Sequence, residues 1–299
     1  MTTDTLIPRP TTVPPPPARP RRRTWPVLRS VIKHGLVITL GVTMIYPLLW
    51  LLASSFKPTN LIFRQIGLLP TETTLANYTS GWTSLLEPFH RFLLNSLIIC
   101  IGAIAGNLIS CSLAAYAFAR MRFRGRNVLF AAMLLTLMLP FQVTVVPQYI
   151  VFHELHWINT FLPLILPKFL ATDAFFIFLM VQFIRGLPRE LDEAARIDGA
   201  GHFRIYAQVL LPLMVPALAT TAIFTFIWTW NDFFGQLLYL TRPENLTTAV
   251  ALNRFIDQQG SSDYGGMFAM SIVSLAPLFL VFLFGQRYLV RGISTTGIK

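Results

Sequence analysis

Six long apolar runs, separated by short polar and charged stretches, set the pattern of this 299-residue chain. They lie near residues 31–53, 92–118, 128–150, 162–184, 213–240 and 268–286. A membrane-crossing helix needs about 20 mostly apolar residues. Each run therefore predicts one span, and the chain reads as an all-α membrane protein with six transmembrane helices. Between the first two spans lies a polar, turn-rich loop. It opens with Ser54-Ser55-Phe56-Lys57-Pro58, which ends the first helix because the residue before proline avoids the α region. Residues 75–86 predict a short helix on the membrane surface, with Trp82 as its interfacial anchor.

Composition agrees with that pattern. The chain is 54% hydrophobic and only 12% charged, against about 25% charged in soluble domains. The net charge of +11 would suit nucleic acid, but its placement gives another reason. Eighteen of the 24 basic residues fall before or at the start of the first span, in the 120–126 and 185–204 loops, and after the last span. A basic excess on alternate loops is the positive-inside signature. It makes both termini cytoplasmic and leaves no case for nucleic acid; the partner it implies is the lipid bilayer. Residues 1–30, rich in proline and arginine, cannot pack as a helix. They predict a disordered cytoplasmic tail ahead of a 31–299 transmembrane domain. The following run is too long, and too punctuated by Tyr46, Pro47 and Trp50, for a cleaved signal peptide.

Little in the chain suggests catalysis. Cys100 and Cys111 share one predicted helix about 16 Å apart along its axis, too far for a disulfide. No Cys/His cluster has metal-ligand spacing. There is no G-x-x-x-x-G-K-[ST] loop to cradle phosphates, and no G-x-S-x-G elbow. The chain reads as non-enzymatic and as binding no cofactor itself.

A few polar residues interrupt the spans. Ionisable groups at membrane depth are costly and suggest function. Lys168 and Asp173, five residues apart on an expected helix, would point about 140° apart and not meet. Lys168 would snorkel outward, leaving Asp173 to face a polar interior, a neighbouring helix or a partner chain. In the fifth span Trp228, Asn231, Asp232 and Gly235 recur at helical spacing and predict one face. An aromatic plate beside an amide and a carboxylate suits a hydroxyl-rich solute; a closed gate and an interfacial aromatic belt are the alternatives. Pro140 and Pro147 predict kinks in the third span.

The longest interruption is 185–212. Pro188 fits the first turn of a helix. Glu190, Asp192 and Glu193 complement its positive end, and Gly199 suits the left-handed position that terminates it. This predicts a short helix over 189–198, a turn at Gly199–Gly201, and a second segment, 202–210, leading into Pro212. An acidic helix would sit poorly on an anionic leaflet, and Ala194 and Ala195 permit close approach, so the loop reads as a docking lug.

The same loop carries a resemblance. Glu193-Ala194-Ala195, three residues, Gly199, nine residues, Val209, then Leu211-Pro212 is similar to the EAA loop of ATP-binding-cassette import permeases, with Val209 in place of the usual isoleucine. EAARIDGAG resembles the carbohydrate-uptake branch. YPLLWLLASSFKP at 46–58, NSL at 95–97, AYAFARMRFRGR at 115–126, WND at 230–232 and the tail from 286 resemble its maltose-type second permease subunit. The resemblance runs from about residue 31 to the end.

It implies a type I ABC importer permease fold with a cytoplasmic EAA coupling helix, in a prokaryotic inner or plasma membrane. The chain would form half of the pathway for a sugar or related polyhydroxylated solute. Its partners would be a second homologous permease, a dimer of ATP-binding-cassette ATPases holding ATP and Mg, and an extracytoplasmic solute-binding protein. Glu193, Ala194, Ala195, Asp198, Gly199 and Pro212 would form the ATPase-coupling element. Trp228, Asn231, Asp232 and Asp173 would border the solute path. Asp257, Gln258, Gln259, Gly260, Asp263 and Tyr264 would lie where the binding protein docks. The rival reading, a self-contained secondary transporter or channel, usually shows repeated halves and intramembrane ion ligands, and no repeat is evident here.

Overall fold

The computed structural model describes residues 24–256 and 262–294, with side chains over 29–256 and 262–287. Its helices are α1 (Thr24–Ser55), α2 (Ala76–Thr83), α3 (Phe89–Arg120), α4 (Arg126–Thr136), α5 (Phe141–Glu154), α6 (Leu162–Ile165), α7 (Ala174–Gly186), α8 (Glu190–Ile197), α9 (His202–Leu213), α10 (Val215–Asn231), α11 (Phe234–Tyr239), α12 (Thr248–Asn253) and α13 (Tyr264–Ser294). Four helical stretches are long and apolar enough to cross a membrane; two bent pairs raise the number to six. The count matches the hydrophobic pattern; the third run is broken at Pro140, one of its two expected kinks, and the fifth is interrupted at Asp232.

The breaks have local causes. The third run divides into α4 and α5, bent by 99°. Pro140 stands in extended backbone as the cap of α5, where it cannot continue α4. A bend of 76° between α9 and α10 falls where the second EAA segment meets the fifth run. Pro212 and Pro216 flank Met214 there, and Pro216 has no N–H to donate back to the Pro212 carbonyl across the bend. The run ends early as well: α10 stops at Asn231, and Asp232 is extended before α11 begins.

The chain divides into two compact units at Leu49 and Trp50. In the first, α1 begins at Thr24, within the stretch expected as tail. Its apolar side chains are open, Val31 at 63% and Met44 at 78% exposure, as for a helix whose solvent is lipid or another helix.

In the second unit α3 is central and packs on α7 and α10, while α10 also packs on α13. A core at the EAA end joins Cys111, Ala115 and Ala119 of α3 to Phe176, Met180 and Ile184 of α7 and Ile205, Leu210 and Met214 near the bend. At the other end Phe89, Phe92, Val250, Phe255 and Met270 form a second core. Cys100 and Cys111 are both buried as free thiols.

Side chains of the Asn95-Ser96-Leu97 stretch tie the α11–α12 loop to α3. Asn95 donates to the carbonyls of Glu244 and Leu246 at 2.9 and 2.8 Å. Ser96 shares a 2.7 Å hydrogen bond with the Thr248 hydroxyl. In the loop after α1, Lys57 is fully buried and donates to the carbonyls of Gln65 and Gly67, both at 2.7 Å. The expected helix at 75–86 exists as α2, which packs on α13, and its Trp82 stacks on His90 with centroids 6.2 Å apart.

Candidate functional site: the EAA loop and a membrane-depth polar cluster

The EAA loop folds as its residues dictate. Helix α8 carries Glu190, Asp192 and Glu193 in its first turn, where they offset the positive end of the helix dipole. Pro188 stands one residue ahead of the cap, Arg189, rather than in the first turn. Gly199 takes φ +78°, the left-handed conformation that stops the helix. The second segment, α9, contains a π-helical stretch over Ile205–Leu210.

The exposed side of this loop is selective. Glu193, Ala194, Asp198 and Gly199 are exposed, Ala195 is half-buried, and Ile197 and Phe203 are 87% and 76% open. Pro212 lies in the last turn of α9, on the bend rather than on the lug.

Asp192 faces the opposite way. Its Oδ2 lies 2.9 Å from Arg120 Nε, and the two side chains are only 8% and 3% exposed. Arg120 Nη2 also donates to the Leu187 carbonyl at 2.8 Å. The end of the central helix thus grips both the entry to α8 and its first turn. Farther along, Ser112 shares a 2.7 Å hydrogen bond with the Tyr206 hydroxyl, and Tyr116 lies 3.2 Å from His202 Nδ1. The lug is therefore fixed to α3 on both sides of its turn. Sequence reasoning assigned Arg120 to topology and Asp192 to the dipole. An acid one residue before Glu193, pointing away from the docking face, was the available signal.

The second cluster lies where the fourth run is interrupted. A 3-10 turn over Leu166–Leu170 follows α6, and Ala171 takes φ +55°. The helix is interrupted there, and Asp173 becomes the cap residue of α7. The expectation that Lys168 and Asp173 point apart is therefore wrong: it assumed a continuous helix. Lys168 Nζ lies 2.9 and 3.1 Å from the two oxygens of Asp173, with the side chains 30% and 25% exposed. Asn107 of α3 donates to Asp173 Oδ2 at 2.7 Å and to the Thr225 hydroxyl of α10 at 3.1 Å. Ser110 donates to the Lys168 carbonyl at 2.6 Å.

Gly102 and Gly106 make this approach possible. A β-carbon on Gly106 would stand 2.9 Å from backbone and side-chain atoms of Lys168, and one on Gly102 would stand 2.9 Å from Ile165. Small residues four apart let chains meet closely in a membrane. The Gly-Ala-Ile-Ala-Gly spacing in α3 was the sequence signal for this contact.

The expected Trp228–Gly235 face is not formed, because α10 ends within it. Trp228 is 49% exposed and packs against Phe175, Phe176 and Phe224, with centroids 5.1–5.8 Å apart. It thus sits beside the first turn of α7, close in sequence to Asp173. Asn231 donates back to the Ile227 carbonyl at 2.8 Å. Asp232 accepts the Gly235 backbone N–H at 2.9 Å and so caps α11.

At the other end, Asp263 accepts the Gly266 N–H at 2.8 Å and caps α13, while Tyr264 meets Phe63 edge-on at 4.9 Å. Asp257, Gln258, Gln259 and Gly260 lie outside the described residues.

Comparison with known proteins places this architecture. Residues 99–295 match the binding-protein-dependent transport system inner membrane component family. The chain belongs to this family. The arabinooligosaccharides permease AraQ of Halalkalibacterium halodurans is 33% identical to it over 93% of this chain and 99% of its own length. The diacetylchitobiose permease NgcG of Streptomyces coelicolor is 33% identical over 89% and 87%. The trehalose/maltose permease MalG of Thermococcus litoralis is 32% identical over 91% and 98%. A solved bacterial ABC transporter involved in import of the acidic polysaccharide alginate shares the fold, with TM-score 0.79 and 22% identity over 91% of this chain and all of that one.

The permease is a non-enzymatic, multi-pass membrane subunit of a binding-protein-dependent ABC importer. Family membership implies an ATPase, a substrate-binding protein and a second permease as its partners.

Proposed function

We propose that this permease passes a sugar or related polyhydroxylated solute, and that α8 is the coupling helix seated in a cleft of an ATPase dimer that binds ATP and Mg. The observation that carries the coupling role is the division of labour on α8. Asp192 is bound inward to Arg120, while Glu193 and Ala194 face out beside the open Ile197 and Phe203. A helix riveted to the span core on one side and bare on the other can transmit force. Closure of two ATPases would draw the coupling helices of two unlike permeases together. The pathway would then open outward to a docked binding protein and reset after hydrolysis. This reading places both termini in the cytoplasm, in agreement with the arginine distribution.

Three relatives named for oligosaccharide or disaccharide transport support the solute class. The half-open Trp228, packed on the first turn of α7 that Asp173 precedes, supports it chemically, as does the polar group of Lys168, Asp173 and Asn107. Sugar C–H faces stack on an aromatic ring, and hydroxyls exchange hydrogen bonds with amides and carboxylates. Asp263 and Tyr264, at the start of α13, would stand at the binding-protein face.

The test is purification of this chain in gentle detergent from its native membrane, followed by reconstitution. Co-purification of an ATPase and a second permease, with ATP-dependent oligosaccharide uptake in liposomes, is the expected result. A lone chain that moves solute without ATP would replace this reading with a secondary transporter.

A further inference from the structure

The arginines between α3 and α4 are more than the topology signal requires, and the fold leaves them in one place. A groove of about 540 Å³ opens between the α3–α4 turn and the start of the EAA loop. Arg122, Arg126 and Arg189 line it with Phe123, Asn127 and Val128, and no carboxylate is among its walls. Arg126 is partly engaged, donating to the Met121 carbonyl at 3.2 Å. Among the described residues, neither Arg122 nor Arg189 has a side-chain hydrogen bond or a carboxylate partner, and both are exposed. Asp192 and Glu193 line an adjoining cavity that Arg122 and Arg189 also border. Within this groove, however, the guanidinium groups converge without an acid, which matches them to a phosphate accepting paired N–H donors.

The apolar part of the groove decides which phosphate. Val128, in the first turn of the apolar helix α4, and Phe123 line it and are 73% and 39% exposed. Leu129, the next residue along α4 outside the lining, is 54% exposed. A phosphorylated headgroup on the arginines would have its chains directed along these side chains. We infer that the groove between the α3–α4 turn and Arg189 binds an anionic phospholipid, its phosphate held by Arg122, Arg126 and Arg189 and its acyl chains lying along α4. A soluble phosphate would use the arginines and gain nothing from Val128 and Leu129. An acidic segment of a partner protein would leave that apolar rim uncovered. Basic pockets at the ends of membrane helices recognise headgroups by this combination. A lipid there would bridge the central helix to the entry of α8 through Arg189. The inference stands apart from the solute class and from the coupling role.

The experiment is native mass spectrometry of the full permease complex, transferred into nanodiscs of phosphatidylglycerol and phosphatidylcholine and then released in mild detergent. Neither Arg122 nor Arg189 has an internal partner, so the Arg122→Gln, Arg189→Gln variant should fold, which its elution profile checks. At about 1 kcal/mol for each of the two arginines removed, the variant should hold phosphatidylglycerol about 30-fold more weakly. Arg122→Lys with Arg189→Lys, which keeps the charge, should retain much of it. Equal retention by the wild type and the glutamine variant would overturn the site. Displacement of the lipid by millimolar inorganic phosphate would reassign it to a free anion. Loss of the ATPase from the variant with lipid retention unchanged would make the groove a protein contact.

Discussion

Arg120 and Asp192 lie 2.9 Å apart and almost entirely out of solvent, one at the end of the central helix and the other in the first turn of the EAA helix. A buried pair of this kind contributes little net stability relative to an apolar substitute. Its value is geometric: it fixes the angle at which α8 leaves the span core. Removing one partner leaves a buried charge unpaired.

Arg120→Ala or Asp192→Ala alone should cost about 3–5 kcal/mol and should lower transport more than membrane insertion. Thermal unfolding in detergent, with uptake in proteoliposomes, checks both. A paired Arg120→Met, Asp192→Leu variant should recover most of the stability. If its uptake stays low while stability returns, the pair aims the helix; full return of uptake would make it packing alone.

Glu193→Lys changes an exposed side chain and should leave insertion and unfolding temperature intact. Reversal of charge on the docking face should cut ATP-driven uptake at least about tenfold, a loss of about 1.4 kcal/mol or more in coupling. ATP hydrolysis by the assembled complex, measured beside uptake, separates loss of docking from loss of transport. Normal uptake would remove Glu193 from the coupling element.

Lys168 and Asp173 should behave as a unit. Each is about a quarter to a third exposed, so the pair is partly screened and its coupling should be about 1 kcal/mol. Lys168→Met and Asp173→Asn should each lower the unfolding temperature, and the double variant should fall less than their sum. A double-variant cycle on purified protein measures this; strict additivity would mean that the contact contributes nothing.

Gly106→Ala places a methyl group 2.9 Å from the Lys168 backbone. Overpacking of this kind costs about 1–3 kcal/mol. The unfolding temperature should drop clearly, whereas Gly186→Ala, where a β-carbon meets nothing within 4 Å, should not show it. Equal behaviour of the two would mean that the α3 contact is looser than drawn.

Trp228→Ala removes an aromatic face that is half open. Solute uptake should weaken severalfold without loss of ATPase docking, as read by co-purification. Unchanged uptake would leave Trp228 as a packing residue against Phe176.

The sequence by itself determined the features that depend on neighbours along the chain. Apolar run length placed the spans, because a bilayer demands about 20 apolar residues whatever lies beside them. The acids after Pro188 and the left-handed Gly199 defined α8, because capping and dipole effects act within one turn. The EAA spacing pointed to the family for the same reason.

What the tertiary structure alone decided is where a helix stops being one and what then meets across it. Helical geometry set Lys168 and Asp173 apart, and the break at Ala171 brought them to 2.9 Å. That break is tolerated because Asn107 and Ser110, on the central helix α3, satisfy its polar groups. The same limit hid Arg120 from Asp192, which are 72 residues apart in the chain. Local pattern reports the preferences of a segment; only packing shows which preferences are overruled, since the partners that make a break affordable come from elsewhere in the fold.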